Sequence, residues 1–131
     1  MGAKKLFLVD DDEIFRTAAE VLIKSLGLAK EVVQLENGLS AYDALMALEN
    51  TPDQLPEVLF LDINMPVMNG WELLEELKLA PGIIRKKVQI HILTSSIAPE
   101  DLNLSKTYGF IKGYITKPLT NSDIEKIKAG L

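Results

Sequence analysis

An alternation of two patterns most narrows what this chain can fold into: short apolar runs, each followed by a segment of helical period, repeated five times. The runs are "KLFLV", "EVVQL", "EVLFL", "VQIHIL" and "IKGYIT". "KLFLV" is continuously hydrophobic, as expected of a strand covered on both faces. "EVVQL" is less apolar and suits a sheet edge. Between them lie segments that read as helices. The first has Phe15, Ala18, Ala19, Leu22 and Leu26 at core spacing and Gly27 as a stop. The second is "LSAYDALMALEN", ended by the proline of "TPDQLP"; the third, "GWELLEELKLA", is closed by Pro81-Gly82. The fourth, "APEDLNLSKTYG", carries Pro99 in its first turn and Gly109 as its cap, and "NSDIEKIKAGL" is a short fifth. No linker, repeat or low-complexity stretch interrupts the series. Such βα repetition predicts an α/β, doubly wound open sheet with helices on both faces.

At 131 residues and 47% hydrophobic content the chain is the size of one compact domain able to bury a core unaided. It has no cysteine, which excludes a disulfide framework and thiolate chemistry and fits a reducing, cytoplasmic setting. "MGAKK" runs into the first strand without a leader pattern, and Leu6 stands where a myristoylation signal wants Ser or Thr. No stretch is long enough for a membrane helix. With 19 acidic against 14 basic residues and a net charge of -5, the chain would repel a phosphate backbone, so no nucleic-acid partner is expected.

In open α/β sheets, ligands bind beyond the carboxyl ends of the strands. There the sequence sets Asp10 and Asp11 after the first strand, Asp62 after the third, Thr94 with Ser95 and Ser96 after the fourth, and Lys117 after the fifth. Three gathered carboxylates raise one another's pKa unless a cation neutralises them. Hard oxygen ligands of this kind suit Mg²⁺. A carboxylate nucleophile, Mg²⁺ and a lysine together are equipment for moving a phosphoryl group. Asp12 and Glu13 are read instead as cap and charge complement of the first helix.

These residues resemble the response-regulator receiver family over essentially the whole chain. "VDDDE" is similar to its acidic pair, "FLDINMPVMNGWELL" to its phosphoacceptor segment, "ILTSS" to its hydroxyl-bearing switch strand and "GYITKP" to its lysine-proline loop. The resemblance implies the CheY-like, flavodoxin-like (βα)5 fold with parallel strand order 2-1-3-4-5. It implies Asp62 as phosphoacceptor, and Asp11, Asp62 and the Asn64 backbone carbonyl as Mg²⁺ ligands, with Asp10 acting through metal-bound water. Lys117 would pair with phosphoryl oxygens, Thr94 would swing its hydroxyl toward them, and Tyr114 would be the aromatic switch. Lys117–Pro118 would be cis. Phosphoryl lifetime in the family depends on the positions of Asn64 and Ser96.

By the same resemblance the phosphodonor would be a histidine kinase or a histidine phosphotransfer protein. Output would pass, through the surface of the fourth helix, fifth strand and fifth helix, including Lys106, Lys112 and Tyr114, to a separate and unknown protein. The expectation is one receiver domain over residues 1–131 with no output domain, signalling rather than enzymatic, and a monomer with dimerisation on phosphorylation left open. Ile14, off the first helix's stripe, is either a stray exposed residue or part of the donor's docking surface. His91, inside the fourth strand, is read as structural, and Trp71 as half-buried packing and a fluorescent reporter. Two other readings stay open. One is a receiver-like binding module that never accepts phosphate. The other is an aspartate-nucleophile phosphatase of the haloacid-dehalogenase kind, against which Asn64 stands where those enzymes place a second aspartate.

Overall fold

The computed structural model describes residues 2–95 and 98–131, so Ser96 lies outside the described residues. Its five strands are β1 (Ala3–Val9), β2 (Ala29–Leu35), β3 (Val58–Asp62), β4 (Gln89–Thr94) and β5 (Ile111–Thr116). They form one parallel sheet in the order β2-β1-β3-β4-β5, as the resemblance implied. Around it lie α1 (Glu13–Ser25), α2 (Gly38–Met46), α3 (Gly70–Leu79), α4 (Gly82–Lys87), α5 (Pro99–Ser105) and α6 (Asn121–Ala129), with a short 3-10 turn at Pro52–Gln54.

The continuous apolar strands have the expected cause. Leu6, Leu8, Val58, Phe60, Leu93 and Ile115 face one layer, made by α1 and α6 through Ala19, Ile23, Ile124 and Ile127. Phe7, Val9, Leu59, Leu61, Ile90 and Ile92 face the other, filled by Ala41 and Leu45 of α2 and Leu73, Leu74 and Leu77 of α3. With side chains alternating across the sheet, both sets of a strand meet a helix layer. The less apolar β2 is an edge strand.

Three expectations need correction. The chain has six α-helices among the described residues, because Pro81-Gly82 closes α3 and also opens α4. This extra turn buries Ile84, and Arg85 Nη1 donates to the carbonyls of Leu77, Lys78 and Ala80. It thus adds a donor to α3's C-terminal acceptors, of which Leu77 also accepts from the Ala80 amide at 3.3 Å. The helices expected fourth and fifth are therefore α5 and α6. On α1 the buried residues are Ala19, as expected, and Ile23, which the expected stripe omitted, while Ala18 is exposed. Finally, α2 and α5 stop short of their expected ends, at Met46 and Ser105, and continue as turns.

Candidate functional site

The site is built where β1, β3, β4 and β5 end. Asp10 follows β1 directly and is wholly buried, and Asp62 is the last residue of β3 and 5% exposed. Asp11 is exposed beside them. Carboxylate oxygens of Asp10, Asp11 and Asp62 lie within 4.8 Å of one another. From the end of β5, Lys117 Nζ pairs with Asp10 Oδ2 and stands 3.7 Å from Asp62 Oδ2. Thr94, at the end of β4, is 1% exposed. Its carbonyl accepts from the Lys117 amide at 2.7 Å, which ties the lysine's loop to β4. The Lys117–Pro118 peptide is cis, as the resemblance implied.

Local structure fixes Asp10 and Asp62. Asp12 caps α1, accepting from the amides of Ile14 (3.0 Å) and Phe15 (3.2 Å), and donates its own amide to Asp10 Oδ1 at 2.8 Å. Arg16 Nη1 donates to the Asp10 carbonyl, and Arg16 Nε to Gln34 Oε1. Asp62 Oδ1 accepts a long bond of 3.4 Å from the Asn64 amide. After Asp62 the chain folds back so tightly that a Cβ on Gly70 would stand 2.7 Å from the Asp62 carbonyl oxygen and 2.8 Å from Ile63 Cα. Glycine at 70 is what permits that return. In between, Val67 holds φ at 69°, a strained conformation for a β-branched residue, while the Met68 amide donates to the Pro66 carbonyl at 2.8 Å.

The charges are unevenly compensated. Burial, and next the Asp10 charge, push Asp62 up to about 6, with Asp11 adding and Lys117 and the Asn64 amide opposing. One ammonium among three carboxylates leaves an excess of negative charge directed at the rim. Three hard oxygen donors within 4.8 Å suit a small divalent cation, so the residues present fit Mg²⁺.

Tyr114 is half-buried against the α2–α4 side of the core, and its hydroxyl is enclosed without a hydrogen-bond partner among the described residues. Burial, then the Asp101 charge, raise its pKa above the usual phenol value. His91 is buried as well, its ring edge-on to Phe60, and its Nε2 has no hydrogen-bond partner among the described residues. It stands outside the acidic group, in keeping with a structural role. Trp71 is half-buried and stacks on Tyr108 at 6.1 Å. Ile14 is 83% exposed. Lys106 and Lys112 are exposed on and beside α5 and β5.

Sequence reading missed three contributors. Phe15 was read as core alone, yet Lys117 Nζ lies 4.5 Å from its ring centroid. Arg16 acts through a backbone carbonyl and Gly70 through the absence of a side chain, neither of which has a charge pattern to betray it.

A family model for the response regulator receiver domain matches residues 6–128. The two-component response regulator ORR1 of rice is 25% identical over 129 residues, covering 97% of this chain and 54% of that protein. The chain thus spans about half the length of that relative. Response regulator Rcp1 of Synechocystis is 28% identical over 98% of this chain and 86% of its own. Its Mn(2+)-bound form superposes with a TM-score of 0.72 over 97% of this chain and 90% of that one. A two-component response regulator from Cytophaga hutchinsonii superposes at 0.88, 25% identical, covering 100% of both chains.

Proposed function

The chain belongs to the response-regulator receiver family, and on that premise we propose that it accepts a phosphoryl group on Asp62 from a phosphohistidine of a kinase or phosphotransfer protein. Receiver domains are signalling domains that work in two-component phosphorelays with histidine kinases and downstream targets. The observation that carries the finer reading is a buried aspartate at a strand end, grouped with two further carboxylates and flanked by a lysine.

In the transfer, an Asp62 carboxylate oxygen attacks phosphorus as the P–N bond to the donor imidazole breaks, and the bonding pair returns to the ring nitrogen. The product is an acyl phosphate. Asp62 is ionised for this at pH 7.5, above its value of about 6. Lys117 moves from Asp10 toward the equatorial oxygens and neutralises charge there. Asp11, Asp62 and the Asn64 carbonyl would hold Mg²⁺, with Asp10 acting through water. When bound, the metal supplies further neutralisation of the transferring group. That Rcp1, a similar chain, has a Mn(2+)-bound form supports a divalent metal for this one.

Thr94 then turns its hydroxyl to the phosphoryl oxygens. Tyr114 follows, and the α5–β5–α6 surface passes the signal to a separate protein. The enclosed, unpartnered Tyr114 hydroxyl supports a ring held at some cost in the unphosphorylated state. Asn64 in place of a general acid argues against the phosphatase reading.

Intact mass after incubation with acetyl phosphate or phosphoramidate tests this. One phosphoryl group gained by wild type with Mg²⁺, and none by Asp62→Asn or with EDTA, is the expected outcome. No gain from either donor moves the binding-module reading ahead.

A further inference from the structure

Lys117 has a third neighbour besides the two carboxylates. Its side chain is 18% exposed, and its ammonium lies over the Phe15 ring, 4.5 Å from the centroid. That ring is fixed from both directions. Phe15 sits in the capped first turn of α1, its amide donating to Asp12, and the next residue, Arg16, is bound to the Asp10 carbonyl. On its other side Phe15 packs against the core layer that contains Leu119, two residues after the lysine. One helical turn therefore holds both partners of the Asp10–Lys117 pair: Asp10 through the Asp12 amide and Arg16, Lys117 through Phe15.

We propose that Phe15 is a positioning residue for phosphoryl transfer, its ring being the surface along which the Lys117 ammonium passes from Asp10 to the phosphoryl oxygens at Asp62. This rests on the receiver reading above. A lysine stem is flexible and its ammonium strongly hydrated, so a lysine that must change partners needs something to limit both freedoms. A third carboxylate would hold it too firmly, and an aliphatic side chain would exclude water without attracting the cation. The negative face of an aromatic ring attracts the ammonium, keeps water from it and leaves its charge uncompensated. The charge then acts at full strength on the developing phosphoryl charge, as a preorganised group does.

The alternative is that Phe15 only fills space between α1 and the Lys117–Pro118 loop. Site-specific replacement of Phe15 by 3,5-difluoro- and pentafluorophenylalanine weakens the ring's negative face while keeping its shape. Phosphorylation by phosphoramidate at saturating Mg²⁺, followed by Trp71 fluorescence and intact mass, should slow in that order, by roughly 3- to 10-fold in total. Phe15→Leu should fall to the same level or below, with Mg²⁺ affinity changed less than about twofold, since Phe15 is not among the carboxylates that would hold the metal. The ring's hold also has a signature in the unphosphorylated protein: the Lys117 Cε protons should resonate upfield and return to ordinary shifts in Phe15→Leu. Equal rates across the fluorinated series would overturn the proposal, as would ordinary Lys117 shifts in wild type. A wild type that takes no phosphoryl group while its Lys117 shifts are upfield would sink the receiver reading and the transfer role together, leaving the contact itself established.

Discussion

Replacing Asp62 by Asn should stabilise the metal-free protein, although it removes the residue on which the proposed function turns. Burial and the Asp10 charge raise the folded carboxyl to about 6, against 3.8 in the unfolded chain. The folded state thus binds more protons between those values, and stability falls as pH rises through the window. Above about 6 the full penalty applies: about two pKa units, or about 3 kcal/mol. At pH 4.5 the same relation leaves about 1 kcal/mol. Asparagine carries no charge and forfeits its attraction to Lys117, which retains Asp10, so a net gain of about 1–3 kcal/mol is expected at pH 7.5. Urea unfolding in EDTA, followed by Trp71 fluorescence, reads this directly. The gain at pH 7.5 should shrink at pH 4.5, and at pH 7.5 it should also shrink on adding Mg²⁺, which stabilises wild type by binding the folded state. A variant no more stable than wild type at pH 7.5 in EDTA, or a gain indifferent to pH, would refute the electrostatic account.

Other substitutions probe the parts around that centre. Gly70→Ala places a Cβ against the Asp62 carbonyl and Ile63 Cα, so it should cost about 1–3 kcal/mol in urea unfolding and weaken Mg²⁺ binding; a neutral effect would mean that the loop is not held as tightly as its contacts require. Tyr114→Phe removes an enclosed hydroxyl with no partner and should be neutral or stabilising by up to about 1 kcal/mol, whereas a clear loss of stability would reveal a bond absent from the structure. For His91, burial and then the Lys112 charge lower the folded pKa to about 4 from 6.5, so the folded state binds fewer protons and stability is lost as pH falls from about 6.5 toward 4. His91→Gln should remove about 2–3 kcal/mol of that loss between pH 7.5 and 4.5 in chemical unfolding, and an unchanged slope would show that the imidazole is not the group titrating.

What the sequence displays follows from how each feature acts. Strands buried on two faces must be largely apolar, so β1, β3 and β4 stand out, while the edge strands β2 and β5 are interrupted by charged residues. The acids and the lysine are legible because charge at the end of an apolar run is conspicuous and the sheet aligns those ends. Helix facing on α1 is less legible: Phe15, Ala18, Ala19, Val21, Leu22, Ile23 and Leu26 spread around a wide arc, and tertiary packing chose Ile23 over Ala18. The six-residue α4 is too short for periodicity to reveal and follows a Pro-Gly pair that reads as a stop; what holds it is Ile84 in the core and Arg85 on α3's carbonyls. Phe15 looked like packing because its contact with Lys117 joins residues about a hundred positions apart, which no local pattern encodes.

A phosphoryl group on Asp62 is by its chemistry open to direct localisation. An acyl phosphate is cleaved by borohydride, which reduces the aspartyl carbon to the alcohol of homoserine. Wild type treated with acetyl phosphate and Mg²⁺, reduced in this way and mapped by peptide mass spectrometry, should show homoserine at position 62 alone, and none when Mg²⁺ is withheld. Homoserine at Asp10 or Asp11, or a phosphoryl group that survives reduction on another residue, would contradict the account.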